Sequence, residues 1–339
     1  HFFSVESVKR QIDHMAKYKI NKLHLRLADD QGWRLEIKGE TETGESYDKL
    51  RTIGASTSCS TNGYRPGQYT QEEFRELAEY AADHYVEIIP EFDMPGHSWA
   101  ALVSLEYLNS TEDGKPHSGN YDNTKPYNGW DVGFSTLECR NENTYKFIEE
   151  VIKQAAPLYP SQYIHIGGDE APKMRWDICP ACRRKAKEEG LKDSEQLQGF
   201  FMKKVAEHVC GLGFAPVVWN EKCMEGFMPE QTVWQYWHTD GGMDEKGTAA
   251  TAAAGGGMIN SDSAYAYVDL PYGTISLEKS YKFTPKLPGM PEEKALGGEL
   301  ELWGEYIPDY KTLLKRCLPR SCAHAERMWS GTDGDYAGF

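Results

Sequence analysis

A helix followed by a strand recurs along this chain, and that recurrence narrows its possible folds more than any other feature. Val5, Val8, Ile12, Met15 and Ala16 share one helical face, and residues 22–27 then alternate as a strand that ends at Asp29-Asp30. Thr70 and Glu73 form a capping-box signature ahead of Phe74, Leu77, Ala78 and Ala81, after which residues 86–90 run as a strand to Glu91 and Asp93. Phe147, Ile148, Val151 and Ile152 mark a third helix, and residues 163–166 follow it into Gly167-Gly168-Asp169-Glu170. Ser194 is placed to cap a fourth helix and Gly211 to end it, before a strand at 215–219. Residues 232–237, 257–262 and 296–303 supply three more, so the pattern predicts seven strands in a parallel sheet with helical crossovers.

Two architectures use that unit. An open doubly wound sheet wants a glycine-rich phosphate loop after an early strand, and neither G-x-G-x-x-G nor a Walker motif is present. The other is an α/β fold of the (β/α)8 TIM type, which needs roughly 250 residues and so fits the 339 found here with room for insertions. Stretches at 40–69 and 108–133 follow strands rather than precede them, which places both on one rim. Nearly every strand ends in acidic, amide or aromatic residues, and the C-terminal rim of a parallel barrel is where active sites are assembled.

Charge removes several classes of function. Lys and Arg number 37 against 52 Asp and Glu, and the net −15 repels phosphate backbones and anionic membranes. No nucleic-acid partner is expected, and no membrane span either, since no apolar run approaches the ~18–20 residues one requires. Eight cysteines are too few to build the fold and do not fix a compartment. Cys179-Pro180-Ala181-Cys182 invites a zinc or redox reading, but a structural zinc site needs a second ligand pair, and Cys210 and Cys223 are not spaced as one. Cys317 and Cys322 remain possible partners; the expectation for the Cys179 pair is a helix start or a local disulfide.

Adjacent acids are common in so acidic a chain, but Asp169-Glu170 closes an apolar strand through two glycines, which carries two carboxylates into the barrel mouth. Two acids in one pocket can be driven to different protonation states, one a general acid and the other ionised. Trp219, Trp237 and Trp303 sit at the ends of strand candidates, and aromatic faces there suit the apolar faces of sugar rings and small acyl groups. Tyr267-Val268-Asp269 and Trp303-Gly304-Glu305 add a hydroxyl and two carboxylates.

Three segments together carry a resemblance: His165-Ile166-Gly167-Gly168-Asp169-Glu170, Asp29-Asp30-Gln31-Gly32-Trp33, and Pro90-Glu91-Phe92-Asp93-Met94-Pro95-Gly96-His97. With Trp303-Gly304-Glu305 and residues 325–330, they resemble the signature segments of family 20 glycoside hydrolases, the β-N-acetylhexosaminidases, over practically the whole chain. The resemblance implies a single catalytic barrel over residues 1–339. It implies retaining, exo-acting removal of terminal β-linked GlcNAc or GalNAc from oligosaccharides, in which the substrate's acetamido carbonyl attacks the anomeric carbon to form an oxazolinium. Glu170 would be the acid/base, Asp169 would bind the acetamido N–H, and Tyr267 would bond its oxygen. Trp219, Trp237 and Trp303 would wall the methyl group and ring, Asp269 and Glu305 would hold hydroxyls, and Asp93 and His97 would tune the acid pair. Tyr236 is a further candidate for the lining. No cofactor and no active-site metal are expected; a secreted, periplasmic or lysosomal location would follow from the family.

Family members carry an arginine at the end of the first barrel strand, immediately before the residue matching His1. The chain is therefore expected to be a fragment lacking that first strand and the last helix, with its start at His1-Phe2-Phe3 cut. Two rival functions stay open: a non-catalytic amino-sugar-binding relative, and a metal-dependent barrel hydrolase using His24, Asp29, Asp93, His97 and His165. Against the second, His24-Leu25-Arg26 is not a His-x-His ligand pair.

Overall fold

The computed structural model describes residues 1–59, 66–109, 125–238, 242–331 and 335–339. All seven expected strands form, and they pair in chain order as parallel neighbours: β1 (Lys22–Asp29), β3 (Glu87–Phe92), β4 (Tyr163–His165), β5 (Ala215–Trp219), β6 (Val233–Tyr236), β7 (Met258–Asn260) and β8 (Ala295–Gly298). A two-residue strand, β2 (Gly32–Trp33), turns back antiparallel on β1. Parallel strands laid down in sequence order with helices between them make a (β/α)8 barrel architecture.

The helices form where spacing and caps require them. Ser4 caps α1 (Val5–Lys17), which turns Val8, Ile12 and Met15 inward. Both halves of the Thr70–Glu73 capping box are made at the start of α2 (Gln71–Asp83), and Phe74, Leu77, Ala78 and Ala81 are buried. After β3 come α3 (Trp99–Ser104) and α4 (Glu142–Ala155), the latter burying Phe147, Ile148, Val151 and Ile152. Burying each such large apolar side chain stabilises the fold by about 1.5–3 kcal/mol, so these faces fix the helices to the sheet. Between β4 and β5 lie α5 (Met174–Ile178), α6 (Pro180–Glu188) and α7 (Ser194–Gly211). The cap of α7 is Asp193, whose carboxylate accepts the Gln196 N–H at 2.9 Å; Ser194, the expected cap, is one residue inside. Then follow α8 (Glu245–Ala254), α9 (Ser263–Ala266) and α10 (Leu277–Tyr281).

Strand β8 is shorter than its apolar pattern suggests. Gly297 has φ +133°, the register against β7 slips at Met258/Ile259, and the chain leaves the ladder after Gly298, with Glu301 bridging to Tyr267 instead. Two helices, α11 (Tyr310–Cys317) and α12 (Arg320–Ser330), come after β8, so helical cover follows the last strand where the sequence suggests none. Of the second insertion, residues 110–124 lie outside the described residues.

Among the described residues no ladder joins β1 to β8. A cavity of about 620 Å³ follows this seam, lined by Phe3, Leu23, Leu25, Leu296, Leu300 and Leu314. The seam strands are the least buried of the sheet, while β5 and β6 are covered almost throughout. A polar contact from His24 Nδ1 to Glu299 Oε1 at 2.7 Å crosses the gap.

Candidate active site

Gly167 and Gly168 follow β4 with φ +67° and +105°. A Cβ at Gly167 would stand 1.7 Å from Asp93 Oδ1, so only glycine lets β4 turn there. The same Asp93 oxygen accepts the Gly168 N–H at 2.9 Å. This turn delivers Asp169 nearly buried and Glu170 as the exposed member of the pair, with φ +44°. Glu170 is also met by the second insertion, since a Cβ on Gly133 would lie 3.1 Å from its own Cβ.

His97, on the loop after β3, faces both acids: Nε2 is 3.4 Å from Asp169 Oδ2 and 3.3 Å from Glu170 Oε2, and Nδ1 is 3.1 Å from Asp29 Oδ1. Burial opposes charge on this ring, but Asp29 and then Asp169 outweigh it, and the imidazole is held well above its ordinary value. The hydrogen bond from His97 in turn lowers Glu170. Burial, reinforced by Asp169, pushes Asp93 well up. The groups pushed upward here are thus His97 and Asp93.

Arg26, on β1, is the residue that reading missed. Its guanidinium reaches Asp29 at 2.8 Å, Glu91 at 2.7 Å and Asp93 at 2.7 Å, and stands 3.6 Å from Asp169. Burial alone would raise Glu91, yet Arg26, His165 and His24 together hold it well below the usual carboxylate range. A signal for Arg26 exists in the chain: with period two, His24 and Arg26 lie on the sheet face opposite Leu23, Leu25 and Leu27.

The aromatic candidates form one box. Ring centroids are 6.2 Å apart for Trp219–Trp237, 6.0 Å for Trp219–Trp303, 5.9 Å for Tyr267–Trp303 and 6.3 Å for Trp237–Tyr267. The Trp219 indole donates to Glu91 Oε1 at 2.9 Å, which ties the box floor to the Arg26 cluster. Burial keeps the Tyr267 hydroxyl protonated. Buried Asp269 is pushed up to about 7, and its N–H donates to the Glu301 carbonyl at 3.3 Å. Glu305 is raised by burial and by Asp29, and stands in the field of Arg26. Asp169 Oδ1, Trp237 Nε1 and Asp269 Oδ1 are buried polar atoms with no hydrogen-bond partner among the described residues, as expected of groups that await a polar ligand. Tyr236, by contrast, is packed into the hydrophobic core. Glu301, buried and bonded to Gln235 at 3.2 Å, was not a sequence candidate.

His24, Glu91 and His165 also converge, as do Asp29, Asp30 and His97, and Asp93, His97 and Asp169. The Arg26 guanidinium already sits among these carboxylates, where it supplies the positive charge a cation would.

An acid pair beside a box of aromatic rings, at the C-terminal rim of a (β/α)8 barrel, is of the class of site suited to binding sugars. The comparisons narrow that class. Residues 1–332 match the catalytic domain of glycosyl hydrolase family 20. A beta-hexosaminidase of Porphyromonas gingivalis is 33% identical over 350 residues, which cover 100% of this chain and 43% of that protein. A beta-hexosaminidase of Akkermansia muciniphila is 33% identical over 97% of this chain and 66% of its own length. Among solved structures, a mutant Streptomyces plicatus beta-hexosaminidase in complex with GlcNAc superposes with a TM-score of 0.81 at 34% identity, covering 100% of this chain and 63% of that one. The chain belongs to glycosyl hydrolase family 20, and spans less than two thirds of the length of several of these relatives.

Proposed function

We propose that residues 1–339 are the catalytic barrel of a retaining, exo-acting β-N-acetylhexosaminidase that releases terminal β-linked GlcNAc or GalNAc from oligosaccharides by substrate-assisted catalysis. One observation carries this reading: Asp169 and Glu170 leave a single turn beside the box of Trp219, Trp237, Tyr267 and Trp303. Four aromatic rings give an apolar wall for an acetamido methyl, and a carboxylate beside it suits the acetamido N–H.

The chemistry then runs in two steps. Glu170 gives its proton to the glycosidic oxygen as the C1–O bond breaks, while the acetamido carbonyl oxygen attacks C1 from the opposite face and closes an oxazolinium ring. Asp169 accepts a hydrogen bond from the acetamido N–H and stabilises the charge that develops on nitrogen; Tyr267 donates to the carbonyl oxygen and orients it. Trp219, Trp237 and Trp303 pack the methyl and the ring, and Asp269 and Glu305 accept from sugar hydroxyls. Water then attacks C1 and loses its proton to Glu170 as the C1–O bond of the oxazolinium breaks and the acetamido carbonyl is restored, so two inversions give net retention. Asp93 and His97 position the pair. In the free protein His97 holds Glu170 low; a sugar seated over Glu170 removes its water and raises it toward the working pH.

One further strand would complete the barrel at the seam between β1 and β8, which has an apolar lining and, among the described residues, no joining ladder.

A metal-dependent hydrolase at His24, Glu91 and His165 is the alternative that the geometry raises. Two donors, Arg26 and Trp219, already hold Glu91 Oε1, which favours the metal-free route; activity that survives a chelator would separate the two. The proposal itself is tested with Glu170→Gln. General acid catalysis contributes about 10²–10⁴-fold, so kcat on a chitooligosaccharide should fall by that order, and less on an activated aryl glycoside. A loss of tenfold or less on both substrates would remove Glu170 from the acid's role.

A further inference from the structure

Cys179 and Cys182 flank Pro180-Ala181 at the start of α6. Cys179 is the cap residue there, and its sulfur accepts the Cys182 N–H at 3.4 Å. In sequence the pair lacks partners, but the fold brings them. A Glu138 carboxylate oxygen, Cys139 Sγ and Cys182 Sγ all lie within 4.8 Å of one another. Glu138, Cys139, Cys179 and Cys182 are all buried, and none of the three cysteines is in a disulfide.

We infer that Cys139, Cys179, Cys182 and Glu138 form a structural zinc site behind the loop that carries Asp169 and Glu170. With Zn–S near 2.3 Å, ligand atoms of a tetrahedral site are about 3.8 Å apart, so Glu138, Cys139 and Cys182 close on the ion by small side-chain movements, and a turn of the Cys179 side chain brings its sulfur in as the fourth ligand. Four protein donors leave no open position, which is the arrangement of a structural rather than a catalytic zinc. Binding displaces the thiol protons and leaves a negatively charged centre. Arg140 offsets that charge: its Nε is 3.0 Å from each Glu138 oxygen, and its field reaches Cys179 and Cys182. The N-terminus of α6 adds positive potential at the two cysteines it carries. A disulfide would use only two of the three thiols and would leave the third thiol and Glu138 without a common partner.

The site would join two segments that pack on the active site. Thr136 donates to the Pro172 carbonyl at 2.7 Å, and the Trp176 indole donates to the Leu137 carbonyl at 3.1 Å. Zinc would thus pin residues 135–140 to the stretch that follows Asp169 and Glu170. None of its ligands is among the residues given a role in hydrolysis, so the two readings are tested separately.

The test is reconstitution with cobalt. The protein is stripped with a chelator under phosphine reductant, then titrated with Co²⁺ without oxygen. The expected result is one Co²⁺ per chain, near-ultraviolet thiolate-to-cobalt charge transfer and tetrahedral visible bands, all abolished by one equivalent of Zn²⁺. Cys182→Ala and Cys139→Ala should lose the charge-transfer band while Cys210→Ala keeps it; Glu138→Gln should weaken Co²⁺ binding at least tenfold. Should the cysteine variants fail to fold, the wild-type spectrum decides alone, because only sulfur ligation gives that band. Cobalt bound without charge transfer, no stoichiometric binding, or a Cys139–Cys182 disulfide in protein isolated without reductant would overturn the site.

Discussion

His97 Nε2 lies 3.3 Å from Glu170 Oε2, and both residues hold positive φ, +47° and +44°. A non-glycine residue in that region costs on the order of 1–3 kcal/mol and persists only where its surroundings fix it. Here the surroundings are Asp29 on the far side of the imidazole and Gly167-Gly168 before the acid pair. The two strained residues hold the imidazole against the carboxylate proposed above as the acid and base.

The contact has a consequence for stability against pH. A histidine raised above its unfolded value near 6.5 contributes stability that is fully present below that value and lost as pH rises through the folded one. Wild-type protein should therefore lose melting temperature toward alkaline pH more steeply than His97→Gln. Glu170, lowered by the same contact, contributes stability that is present above its unfolded value and lost as pH falls through the folded one, so the variant should also be flatter on the acid side. Melting curves of the two proteins from about pH 4 to about pH 10 check this, and parallel profiles would contradict it.

Asp269 gives a second titration, in binding. Burial places it at about 7, and only its ionised form is a pure acceptor for a sugar hydroxyl. KM for the terminal sugar should fall as pH rises through about 7, and Asp269→Asn should remove that dependence. Because the carboxyl is raised in the folded state, its ionisation also costs stability between 3.8 and about 7, a loss that Asp269→Asn should relieve. A pH-independent KM in the wild-type protein would mean that Asp269 does not touch the sugar.

The strands were legible because each is an apolar run closed by polar residues, and Asp169-Glu170 stood out because two glycines precede it. Arg26 was harder to see: its importance depends on Glu91, Asp93 and Asp169 arriving from β3 and β4, which no local pattern announces. Cys139 is the same case, since its nearness to Cys182 is made by packing between distant segments. The Ser194 cap was misplaced by one residue because aspartate and serine cap equally well, and Asp193 stood next to it. The end of β8 was misjudged because residues 299–303 keep an apolar alternation after Gly297 has turned the backbone out of register.

The seam between β1 and β8 gives a prediction for length. Exposed strand edges over an apolar cavity are unfavourable, so a protein extended upstream of His1 by one strand should melt higher than residues 1–339. The His1 ring lies at the rim of the site, its Nδ1 2.7 Å from the Gly304 carbonyl oxygen beside Glu305, so residues attached there should raise kcat/KM as well. Equal melting temperatures and equal turnover for the two proteins would show that the seam needs no added strand.

Substrate assistance is the central claim, and the measurement closest to it is the anomer first released, followed by proton NMR on an aryl β-glycoside of GlcNAc and on its 2-hydroxy counterpart. The account predicts that the GlcNAc substrate gives the β anomer first, before mutarotation, and that the 2-hydroxy substrate is turned over negligibly because it lacks the attacking carbonyl. Release of the α anomer, or comparable turnover of both glycosides, would contradict it.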